Sequence, residues 1–76
     1  MANPQLVQTR YVVIADLNKL DVELSIRAAI DYYRTLYGEP KRVWINPKDC
    51  DDKIQEVEGY KVERRGGCCR MKVMVI

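Results

Sequence analysis

The stretch "DVELSIRAAIDYYRTLYGEP", residues 21–40, constrains the fold more than any other part of the chain. Val22, Ile26, Ala29, Ile30, Tyr33 and Tyr37 recur at spacings of three and four, which predicts a helix with one apolar stripe. Glu23–Arg27 and Asp31–Arg34 stand at i,i+4 and i,i+3 on its outer side. Asp21 is the expected N-cap, with Asn18 as the rival; Gly38 ends the helix and Pro40 forbids its continuation. A helix with one apolar stripe must lie on something, and in a chain of 76 residues that something is a small sheet. The expectation is one domain over 1–76, with 1–8 as a flexible N-terminus.

Strands are read on both sides of this helix. Arg10–Ala15 is an unbroken apolar run, as expected where both faces are covered. Lys41–Asn46 alternates, with Val43 and Ile45 on one face and Trp44 on the other. "NPKDCDDKIQEVEG" reads as a second helix: Asn46 caps, Pro47 takes the first position, and Asp49, Asp51 and Asp52 crowd the positive end of the dipole. Cys50, Ile54 and Val57 would form its buried stripe and Gly59 its end.

The C-terminal segment "YKVERRGGCCRMKVMVI" is read as a hairpin. Gly66-Gly67 satisfies the positive φ of a type I′ turn, which sets Arg65 opposite Cys68, Glu63 opposite Arg70 and Val62 opposite Met71. Tyr60, Val62, Cys69, Met71, Val73 and Val75 then share the core face. Adjacent cysteines on a strand point to opposite faces, so Cys68 and Cys69 cannot chelate one metal together. Cys69 is expected as a small core residue, and Cys68 as a partly exposed thiol activated by Arg65 and Arg70.

The order β-α-β-α-β-β predicts an α+β two-layer sandwich: a four-stranded mixed sheet with both helices on one face. It resembles that of the small sulfur-carrier proteins, the archaeal chromatin protein Alba, and the C-terminal domain of bacterial translation initiation factor three. Where the sulfur carriers place their cysteine, this chain has Leu20-Asp21-Val22-Glu23, so persulfide carriage does not follow. "VWINPKD" followed by "GYKV" is similar to a strand–turn–helix stretch of tailed-phage capsid proteins, which implies a phage-structural role as a further option.

Composition narrows the function classes. There is no histidine, and the single serine, Ser25, falls inside the helix, so no nucleophile–base pair is evident. Without histidine or C-x-x-C, zinc is not expected; the acidic run lacks EF-hand spacing; no metal or other cofactor is implied. No apolar run is long enough for a bilayer, and Met1–Gln5 lacks a signal-peptide pattern, so a cytoplasmic protein with three reduced cysteines is expected.

Charge is uneven within a net +2: two basic and five acidic side chains over 46–59, five and one over 60–76. Lys61, Arg65, Arg70 and Lys72 would line the solvent face of the hairpin, a candidate contact for a nucleic-acid backbone. If Val73 and Val75 face the core, Met74 and Ile76 face away, together with Trp44 and half of the first strand. That is a candidate oligomer interface. The favoured function is a non-catalytic interaction module forming a homodimer or binding another protein, with nucleic-acid binding as the alternative and thiol chemistry at Cys68 third.

Overall fold

The computed structural model describes residues 11–76; the flexible 1–8 segment and Arg10, the start of the expected first strand, lie outside them. The elements are β1 (Val13–Asp16), α1 (Val22–Tyr37), β2 (Val43–Ile45), β3 (Glu56–Val57), β4 (Tyr60–Arg64) and β5 (Lys72–Val75), with a 3-10 turn at Pro47–Asp49. The class is α+β. The sheet has five strands in the order β1-β5-β2-β4-β3, packed against one helix.

The helix forms as its pattern dictates. Asp21 caps it, its carboxylate accepting the Leu24 N–H at 3.0 Å. Ile26, Ala29, Ile30 and Tyr33 are buried, while Tyr37 stays exposed and stacks on Tyr11, ring centroids 4.4 Å apart. Gly38 takes φ +93° as its N–H returns to the Arg34 carbonyl. Arg27 and Arg34 reach Glu58 at 3.1 and 3.6 Å, which ties one flank of α1 to the β3–β4 turn.

Beneath α1 lie Val13, Val43, Ile45, Val57, Val62, Val73 and Val75, all buried. These alternate along their strands with residues on the opposite face, which no element covers among the described residues. Of the expected core, Ile26, Ile30, Val43, Ile45, Val62 and Val73 are buried, Ile54 is half-buried and Met71 is exposed.

Two expectations are corrected. The second helix is one 3-10 turn. Asn46 does cap it, accepting the Lys48 N–H at 2.9 Å, but Cys50 is already extended. Asp49 bonds across to the 70–71 loop, and Asp51 accepts the Lys53 N–H at 2.8 Å, a local turn that competes with helix. Asp49, Asp51 and Asp52 therefore do not sit on a helix dipole. The fold consequently has five strands and one α-helix instead of four strands and two helices, and the topological likeness to the sulfur carriers, Alba and the initiation-factor domain lapses.

The Gly66-Gly67 hairpin is likewise absent. β4 pairs parallel with β2, whereas β5 inserts antiparallel between β1 and β2. The two glycines do centre a turn, closed by the Cys68 N–H on the Arg65 carbonyl at 3.0 Å, but neither takes positive φ. The type I′ hairpin sits one element earlier, at Glu58 (φ 55°) and Gly59 (φ 84°) between β3 and β4.

Candidate functional site

Two surfaces and one buried cluster hold the chemistry. The first surface is the uncovered sheet face. The pairing register runs Ile14–Met74–Trp44–Glu63 across four strands, and Ile76 lies beyond Met74 on the same side. Trp44, Met74 and Ile76 thus share the outer face, as their alternation requires, but all three are half-buried. The reason is a polar cover. Arg65 lies over the Trp44 ring, 4.4 Å from its centroid, and the indole Nε1 donates to Glu63 at 3.3 Å. Arg42 holds the same carboxylate at 3.1 Å. A shallow cleft of about 610 Å³ opens beside this stack, lined by Trp44, Glu63, Arg65, Gly66, Gly67 and Met74.

The four cations assigned to the hairpin do not form one basic strip, because the hairpin that would align them does not exist. Lys61 projects from the outer face of β4 opposite Glu56, and Lys72 pairs with Asp16. Arg65 is spent on Trp44. Arg70 leaves the sheet and binds Asp49, its Nη2 standing 2.9 Å from Oδ1.

Asp49 is the centre of the buried cluster. Its side chain is fully enclosed and receives Arg70, the Met71 N–H at 2.6 Å and Lys19 at 3.4 Å. The Arg70 hydrogen bonds, then the Met71 N–H, hold its pKa at about 2 against the opposing effect of burial. Asn46 completes the junction by donating to the Cys68 carbonyl at 2.9 Å. Three loops, 17–21, 46–49 and 68–71, are joined here. Met71 is kept at φ 61°, a backbone state a non-glycine residue seldom adopts. The signal missed in the sequence was an acid that needs partners from distant loops, which no spacing rule exposes.

The thiols exchange places relative to expectation. Cys68 is buried and Cys69 exposed. Burial, with the charges of Cys69 and Asp49 adding to it, pushes the Cys68 thiol up, not down; Arg65 and Arg70 are engaged with Trp44 and Asp49. Burial raises Cys50 too, with Arg64 opposing it. Among the described residues no cluster of three or more His, Cys, Asp or Glu could hold a metal ion. The Ser25 hydroxyl is occupied, accepting the Asn18 N–H at 2.9 Å and donating to the Asp21 carbonyl at 3.1 Å.

The second surface was not anticipated. Exposed large apolar side chains flank the β1 edge on both sides of the sheet: Val12 and Ile14 on the uncovered face, Leu24, Tyr32 and Leu36 on the helix. The helix residues form an i,i+4 row through Ala28, beside the core stripe and away from the Arg27–Arg34 flank. A groove of about 460 Å³ runs between strand and helix, lined by Ala15, Asp16, Leu24, Ala28, Ala29 and Tyr32 among others. The signal was present as the 24-28-32-36 spacing, but the stronger stripe of the same helix masked it. No helix among the described residues is long and apolar enough to cross a membrane.

No family model matches the chain, and neither a curated protein nor a solved structure matches it.

Proposed function

We propose that the chain is a non-catalytic interaction module that works as a homo-oligomer. The observation carrying this reading is that exposed apolar side chains flank one sheet edge on both sides, Val12 and Ile14 on the uncovered face and Leu24, Tyr32 and Leu36 on the helix above. Isolated exposed apolar residues are ordinary, whereas rows of them on both sides of one sheet edge support an interaction surface there. Symmetric self-association is the commonest way soluble chains cover one. The absence of a nucleophile–base–orienter set around Ser25 and the burial of two thiols support a role without catalysis.

Trp44, Met74 and Ile76 are already half-covered, so the drive to associate lies at the β1 flank and less at the centre of the face. Nucleic-acid binding through Lys61, Arg65, Arg70 and Lys72 has less support, since Arg70 and Lys72 are paired to carboxylates and Arg65 to Trp44. Light scattering at tens of micromolar tests the proposal. The expected mass exceeds that of one 8.9 kDa chain; a one-chain mass at 100 µM refutes self-association.

A further inference from the structure

The β1 edge has a hydrogen-bonding pattern that selects its own partner. In an antiparallel ladder, hydrogen-bonded pairs alternate with non-bonded ones. Leu17 continues the β1–β5 register opposite Met71 and donates its N–H to the Met71 carbonyl at 3.0 Å. Ala15 with Val73 and Val13 with Val75 are therefore the bonded pairs. On the far side of β5, Arg42 and Ile76 exchange both bonds, so Met74 and Ile76 turn to β2 and leave Val73 and Val75 for β1. Both ladders give the same answer. Ile14 and Asp16, and by continuation Val12, aim N–H and C=O away from the sheet, and no described strand lies there.

The two edges of the sheet differ in how they are guarded. β3 is two residues long and carries Glu56 with Glu58 beside it, which discourages further pairing. β1 carries one charge, Asp16 at its end, which is paired with Lys72; Tyr11–Ala15 has none, and the strand has no proline and no bulge in its register. Above it, α1 packs on β1 and β5 alike, and its Leu24–Ala28–Tyr32 row borders the groove that opens over this edge.

We infer that β1 pairs antiparallel with β1 of a second copy about a two-fold axis at Ile14, fusing two five-stranded sheets into one. This rests on the reading that the chain self-associates, and it names the mode. An antiparallel edge is complementary to its own two-fold image, so Ile14 bonds Ile14 of the other copy and Val12 bonds Asp16, about six backbone hydrogen bonds in all. Strands lie about 4.8 Å apart. A helix seated between β1 and β5 then stands about 10 Å from its symmetry mate, which is helix-packing distance. The Leu24–Ala28–Tyr32–Leu36 rows face each other across that gap. A foreign extended peptide would satisfy the edge bonds and leave the helix row uncovered; a second copy covers both.

Three single variants and the unaltered chain, compared by light scattering at tens of micromolar with circular dichroism and thermal melts, decide it. Ile14→Pro deletes an outward N–H and leaves the β5 ladder intact, because that N–H is not among its bonds. It should give a folded one-chain species. Tyr32→Glu alters a helix position 58% exposed in the single chain, so it spares the fold and should likewise give one chain; it decides alone if Ile14→Pro does not fold. Met74→Lys discriminates, as it disperses a face-to-face dimer and spares an edge dimer; the expected mass is two chains. A folded Ile14→Pro or Tyr32→Glu protein with a two-chain mass overturns the edge pairing, as does a one-chain mass for Met74→Lys. An unaltered chain that is monomeric at 100 µM overturns this and the self-association reading together.

Discussion

Ile30→Ala tests whether α1 is seated as described. Ile30 has 0% exposure and lies among buried valines and isoleucines of the helix–sheet interface. The substitution deletes three carbons, at about 0.8 kcal/mol each in transfer terms, so roughly 2.4 kcal/mol is lost before any cavity forms. The void adds to this, and measured losses for such truncations span about 2–5 kcal/mol. At about 0.05–0.15 kcal/mol per residue, a domain of this size holds roughly 4–11 kcal/mol in total. One side chain thus removes a large share of the stability. Urea unfolding followed by the single tryptophan, Trp44, reads the loss as a fall in midpoint at unchanged slope. In thermal melts the drop should be at least about 8 °C. Leu20→Ala, at a position 95% exposed, is the control and should stay within about 0.5 kcal/mol. Both proteins are compared at equal chain concentration, because association shifts apparent stability. A loss below about 1 kcal/mol for Ile30→Ala would mean that the helix does not bury this face.

Three more outcomes follow from the structure. Asp49 has a folded pKa of about 2, below the ordinary carboxylate value of about 3.9. Its stabilising effect is therefore present above about pH 4 and lost as pH falls towards 2; Asp49→Asn should be destabilised at neutral pH and show a flatter acid limb in melts from pH 7 to 2. Gly59→Ala should cost about 1–2 kcal/mol, since φ is +84° there, whereas Gly66→Ala should be close to neutral; equal losses would return the type I′ turn to the glycine pair. A mild alkylating reagent should modify Cys69 first in the native protein and reach Cys50 and Cys68 only on unfolding; rapid native labelling of Cys68, read by mass spectrometry, would contradict its burial.

What could be read from the sequence was what depends on neighbours in the chain. The helix, its Asp21 cap and its Gly38 end, the outward side of Trp44 and the alternation of Lys72–Val75 all follow from periods of 3.6 and 2. What could not be read was partner choice at long range. Gly66-Gly67 offered a local hairpin, and nothing between Arg65 and Met71 reveals that β5 leaves β4 to fill the gap between β1 and β2. The decision is made by Asp49 and Asn46, which capture Arg70, the Met71 N–H and the Cys68 carbonyl from more than twenty positions away in the sequence. Those same contacts cancel the second helix. One set of side-chain bonds thus accounts for both misread elements and for the exchange of Cys68 with Cys69.

The site was legible in the same partial way. Alternation alone puts Trp44, Met74 and Ile76 on the outer face, and an outer face with tryptophan and methionine looks like an interface. It takes the third dimension to see that Glu63 of β4 and Arg65 just past its end close over the indole, because that strand lies beside β2. The parallel pairing therefore shields the centre of the face, while β5 takes the interior place and leaves β1 as the edge. Exposed apolar side chains flank the edge where the backbone groups of Ile14 and Asp16 also find no partner strand among the described residues. An edge with both kinds of unsatisfied surface is the place where this fold has most to gain from a second chain.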